Sequence, residues 1–146
     1  MSDWPHDEIH RVALGYIRKD VPTGAQWRFT RLDALPERLA RIAPLQPEER
    51  SIVSFFIDAQ RWYVMTTARI FGLAQGSPFD CSPLDVAQWR WGDSKHASRS
   101  GVELATLAMK TGMHLRISYE AGPAAMAPIR YGEFWETQYP GLEALK

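Results

Sequence analysis

The segment His6-Asp-Glu-Ile-His10 carries the most suggestive spacing in the chain. Two imidazoles four residues apart lie on one side of a helix and can share a metal ion. In the zinc-protease motif a glutamate follows the first histidine directly, and here Asp7 stands in that place. No clear third ligand is attached, Glu8 and His114 being the candidates. A metal-dependent enzyme built on His6 and His10 is therefore the least favoured of three functional readings, and no metal or cofactor is expected. The plainer reading of the segment is the solvated polar face of a helix.

A second cluster runs from Ser94 to Ser100, SKHASRS. Lys95, His96 and Arg99 lie among serines and close to glycines, a combination able to wrap an anionic group through charged donors and free amides. Serine-rich connections are more often plain solvated loops. Just upstream, Trp89 and Trp91 flank Arg90. Tryptophans in a small sheet belong first to the core, yet aromatics with arginine are also the usual anchors of protein interfaces. Trp89, Arg90, Trp91, Lys95, His96 and Arg99 are the expected partner-binding residues, and no residue is assigned a catalytic role. Cys81 sits beside Asp80, whose charge raises a thiol pKa and works against a nucleophile. Glu133 and Glu136, three apart, share a face if their segment is helical; a solvated acidic face is the ordinary explanation.

The composition narrows the field. With 146 residues the chain is the size of one domain, 1–146. Seventeen basic side chains balance seventeen acidic ones, so the net charge is zero, and binding to nucleic acid through its phosphates is not expected. The single cysteine excludes an intramolecular disulfide and fits a reducing compartment. The N-terminus is polar and acidic and no apolar run reaches membrane length, so a cytoplasmic protein without membrane insertion is expected.

The elements that must hold these residues follow from periodicity. Ile9, Val12, Ala13, Tyr16 and Ile17 recur on one helical face, predicting a helix from Pro5 to Lys19 with Asp3 as its cap. Trp27 and Phe29 share one side of a short strand. A second helix follows Asp33 and Pro36, with Leu35, Leu39 and Ile42 on one face and Pro44 and Pro47 closing it. From Ser51 the period changes to two. SIVSFFI turns at Asp58-Ala59-Gln60 into RWYVMTT, with Trp62 and Val64 on one face and Tyr63 and Met65 on the other. RIFGLA continues the meander, Gly76, Pro78 and Pro83 mark a loop, and DVAQWRW follows. VELATLAMK turns at Thr111-Gly112 into MHLRISYE, where Met113, Leu115, Ile117 and Tyr119 are expected inward. The last helix has Pro128 near its first turn and Pro140 beyond its end. Ala127, Tyr131, Phe134 and Trp135 form its apolar face, and Gly132 is its weak point.

LQPEERSIVSFFI followed by RWYVMTTARIFG, then LATLAMKTGMHLRISYE and a closing helix with Phe134 and Trp135, resembles the pleckstrin-homology-like superfold, especially its small bacterial and GRAM-like members. The resemblance implies an α+β fold: two N-terminal helices, a bent antiparallel sheet or small partly open barrel of six to seven strands, and a C-terminal capping helix. Residues 45–139 would form that core, with 1–44 a helical extension and 140–146 a tail. It also implies a non-enzymatic protein-interaction module, in its narrowest form a small bacterial inhibitor or immunity protein that neutralises a partner toxin. The alternative is a lipid- or phosphate-binding module using Lys95, His96 and Arg99, with Arg61 and Arg69 as helpers and weak affinity for lipid headgroups. The acidic turn at Asp58 departs from the basic first hairpin of phosphoinositide-binding members.

Overall fold

A computed structural model describes residues 5–21, 27–92 and 101–144, with side chains described as far as residue 141. Asp3, Lys95, His96 and Arg99 lie outside the described residues. The described chain is α+β. Four α-helical segments, the last two continuous through a π turn, accompany eight antiparallel strands divided between two sheets, five strands in one and three in the other. This is one strand more than the upper expectation, and the sheets do not close into a barrel.

Helix α1 spans His6–Arg18 and buries Ile9, Ala13, Leu14 and Ile17. Pro5 stands just outside as its extended N-cap, and Asp7 and Glu8 occupy the first turn, where the helix dipole favours negative charge. Strand β1 (Thr30–Leu32) pairs with β2 (Ser51–Asp58), and the sheet continues through β3 (Arg61–Thr66), β4 (Ile70–Ala74) and β5 (Ser77–Cys81) in sequence order. Between β1 and β2 lies the short helix α2 (Glu37–Ile42).

The period-two pattern of β3 places its side chains on two faces, as expected, and each face packs into a core of its own. Tyr63 and Met65 enter the main core with Ile52, Phe55 and Ile70. Trp62 and Val64 face the other way, into a small second core with Leu39 and Ala43 from the α2 segment and Phe71. Ile42 departs from the expected face of α2 and is 50% exposed; a helix of six residues is too short to bury more than one narrow stripe. Pro78, expected in a loop, lies inside β5 opposite Leu73. Strand β5 is an edge, and there a missing N–H need cost no ladder bond.

The second sheet has the order β6 (Val86–Arg90), β7 (Val102–Met109), β8 (His114–Glu120). Leu107, Ile117 and Tyr119 point into the main core. Met113 does not, being 71% exposed. It precedes the first residue of β8, where the turn around Gly112 (φ 94°) takes it out of the alternation.

Helix α3 (Met126–Glu133) passes through a wide π turn, Phe134–Gln138, into α4 (Tyr139–Ala144). The helix therefore runs past Pro140 instead of ending before it. Proline lacks an N–H and crowds the carbonyl four residues back; the π turn immediately before, closed by the Tyr139 N–H on the Phe134 carbonyl, supplies the slack. Ala127, Tyr131, Phe134 and Trp135 are all buried, as the pattern requires. The Tyr131 hydroxyl donates to the Thr66 carbonyl at 2.7 Å and so ties this helix to the end of β3. Among the described residues no helix is long and apolar enough to cross a membrane.

Candidate functional site

The histidine pair is committed elsewhere. His6 Nδ1 lies 2.6 Å from the Thr67 hydroxyl, and His10 Nε2 lies 2.6 Å from the Asp33 carboxylate. His10 is only 7% exposed, so the expected solvated face is half wrong: one imidazole is packed inward because α1 crosses the segment carrying Asp33. The two side chains reach opposite partners, and no group of three or more metal-ligating side chains converges among the described residues.

The basic helpers of the phosphate reading are engaged as well. Arg61 pairs with Asp58 at 2.8 Å across the β2–β3 turn. Arg69 bonds to Glu49 and to Asp80, and its guanidinium stacks 3.9 Å above the Phe71 ring. Each is already paired with carboxylate charge. Cys81 behaves as expected of a structural thiol: burial, then the charges of Asp80 and Asp85, push its pKa up to about 11.

The Trp89-Arg90-Trp91 run is divided by strand geometry. Successive residues of β6 point to opposite faces. Trp89 and Trp91 turn toward the terminal helix, their rings stacked with centroids 5.9 Å apart and planes inclined by 14°. Arg90 is on the outer face, exposed, with its Nε–H on the Gln88 side chain at 3.1 Å. The sequence grouped three residues that the sheet separates into two surfaces.

Both indoles are half-buried. Trp91 meets Tyr119 edge-on at 5.2 Å, and Trp89 meets Tyr131 edge-on at 6.4 Å. The Trp89 ring also lies on the backbone of Gly132. A Cβ there would sit 2.9 Å from one carbon of the indole and 3.0 Å from another. The residue that weakens the helix pattern is thus the one that lets β6 dock on α3. Gly132→Ala is expected to push the indole off the helix. The near-ultraviolet circular dichroism of the tryptophans should change, while net stability moves by no more than about 2 kcal/mol, overpacking being opposed by better helix propensity.

Trp89 and Trp91 form one wall of a cleft of about 200 Å³, completed by Ile129, Glu133 and Glu136. Glu133 is held in place, accepting from the Tyr16 hydroxyl at 2.9 Å and from Arg130. Glu136 lies in the π turn, is exposed, and forms no ion pair among the described residues. Its pKa is raised above the ordinary carboxylate value by partial burial and then by the neighbouring charge of Glu133. The spacing of the two glutamates was legible in the sequence, but Ile129 and the two indoles opposite them were not, because only the fold brings β6 against α3.

Compared with known proteins, the chain matches no protein-family model, no curated protein and no solved structure.

Proposed function

We propose that the protein is a non-enzymatic protein-interaction module whose binding surface is the Trp89–Trp91 cleft. One observation carries this reading: two stacked tryptophans remain only half-buried beside the carboxylate of Glu136, unpaired among the described residues, while most of the other large aromatics among those residues are buried. Exposed indole surface is costly to leave in water, and tryptophan in a well-formed recess is the commonest kind of interface anchor. The committed bonding of His6, His10, Arg61 and Arg69 favours this reading over the metal and phosphate alternatives. The narrower role, an inhibitor or immunity protein that covers the active site of a toxin, rests on the pleckstrin-homology-like resemblance and specifies what class of protein to look for.

The test is affinity capture from a lysate of the source organism with quantitative mass spectrometry, run in parallel on the parent protein, Trp91→Ala and Arg90→Ala. A single near-stoichiometric protein should be retained by the parent and by Arg90→Ala. Its affinity should fall at least about tenfold in Trp91→Ala, with far-ultraviolet circular dichroism unchanged. A partner lost in Arg90→Ala and kept in Trp91→Ala would place binding on the outer face of the three-stranded sheet and overturn the cleft assignment.

A further inference from the structure

The geometry points to a guanidinium receptor: the cleft walled by Trp89, Trp91, Glu133 and Glu136 takes the side chain of an arginine presented by the partner. This deepens the interaction reading and rests on it. The chemistry of the two walls is complementary to one kind of group. On one side the half-buried indoles of Trp89 and Trp91 line the cleft, and the face of an indole attracts a cation. On the other side stand two carboxylates on adjoining turns of one helix.

The two glutamates are not equivalent. Glu133 is fixed by Tyr16 and shares its charge with Arg130, which also lies 2.9 Å from Asp20. It is placed and partly neutralised. Glu136 is left with a like charge next to it and no cation of its own among the described residues. Arrival of a positive group would relieve that repulsion. The π turn gives the arrangement its form, since an extra residue in the turn changes the angle at which Glu136 leaves the helix; such turns concentrate at binding sites.

Size and shape then select among cations. About 200 Å³ is less than the usual range for a cofactor or drug-sized ligand, so a single side-chain head group is the appropriate occupant. Arginine fits better than lysine. Its planar guanidinium stacks on an indole while its edge donates two parallel hydrogen bonds to a carboxylate, whereas an ammonium is a compact, strongly hydrated point charge.

The experiment is a titration of the full-length protein at low ionic strength, followed by tryptophan fluorescence and by calorimetry. The probes are N-acetyl-Gly-Arg-Gly-amide, the same peptide with neutral citrulline in place of arginine, and free arginine amide. The arginine peptide should bind saturably and in competition with the captured partner, and the citrulline peptide should not. Glu136→Gln should weaken the arginine peptide about fivefold to tenfold, a step of about 1 kcal/mol or slightly more, with the melting temperature unchanged. Added salt should weaken it further. Equal affinity for free arginine amide and the peptide would assign the contact to the head group alone, and tighter peptide binding would assign it to a protein chain; both uphold the guanidinium. No saturable signal up to about 10 mM, far weaker than any useful contact, or equal binding of the citrulline peptide, overturns it. If Trp91→Ala loses the partner while Glu136→Gln keeps it at full affinity, the interaction surface stands and the guanidinium falls.

Discussion

Gly72→Ala is expected to destabilise the protein by about 3 kcal/mol or more, although it adds a single methyl group. Gly72 lies in the middle of β4, opposite Tyr63 on one side and Phe79 on the other. A Cβ at this position would come within 2.1 Å of the Trp62 carbonyl oxygen and 2.7 Å of the Tyr63 Cα. Both obstacles are backbone, so no rotamer change relieves them. Strands β3 and β4 must move apart, and the aromatic contacts held by their close approach move with them. Tyr63 stacks on Phe55 at 4.9 Å in the main core, and Trp62 meets Phe71 edge-on at 6.3 Å in the second core. One methyl therefore disturbs both cores. Against a total stability of about 5–15 kcal/mol, the loss should lower the urea midpoint substantially. Gly15→Ala is the matched control. It lies on the exposed side of α1 with nothing within 4 Å of the added carbon, so it should stabilise by up to about 1 kcal/mol through helix propensity. Equal midpoints for parent and Gly72→Ala would mean that the close approach of the strands does not exist in solution.

The same glycine shows what a sequence reading can and cannot reach. The two-residue period around it was plain, and it placed Trp62 and Val64 on one face and Tyr63 and Met65 on the other, as found. What the pattern could not disclose is that each face has its own core, because that depends on α2 folding back across the sheet. Helix α1 and the apolar face of α3 were legible for a similar reason: a local period of three to four residues is enough to fix a buried stripe. Strand β5 was missed because Pro78 reads as a loop residue unless the strand is known to be an edge. The run past Pro140 was missed because the π turn that permits it has no sequence signature of its own.

The candidate site divides along the same line. Its residue types were recognisable, since Trp89, Trp91, Glu133 and Glu136 each stand out locally. Their association was not, because 35 residues and two further strands separate β6 from the terminal helix. Sequence adjacency was misleading at Arg90, where strand alternation overrides proximity along the chain. Glu49 gave no signal at all. Nothing in LQPEERSI distinguishes a carboxylate that will be wholly buried from its exposed neighbour Glu48.

That carboxylate is the basis of the other large effect. Glu49→Gln is expected to cost about 3 kcal/mol at neutral pH. The Glu49 side chain has no solvent exposure. It accepts from Arg69 at 2.9 and 3.1 Å, from the Thr66 hydroxyl at 2.5 Å and from the Gln46 amide at 2.9 Å. These bonds fasten the loop before β2 to the turn between β3 and β4. The amide keeps the shape of the carboxylate but presents an N–H where a donor must be received, and it leaves Arg69 with only Asp80 as a charged partner. Burial by itself pushes the Glu49 pKa up, yet the bonds from Arg69, Thr66 and Gln46 together outweigh it and hold the carboxyl below its ordinary value of 4.5. A carboxyl whose pKa is lower in the folded than in the unfolded state adds stability above the unfolded pKa, and that stability is lost as pH falls through the folded value. The parent should therefore lose stability below about pH 4.5 faster than Glu49→Gln, and the gap between them in urea titrations should narrow as pH falls. Breaking the exposed Arg41–Glu37 pair should instead change stability by no more than about 0.5 kcal/mol. A gap of 3 kcal/mol that persists unchanged into acid would attribute the loss to packing, and a variant as stable as the parent at neutral pH would remove Glu49 as the fastening point of the sheet.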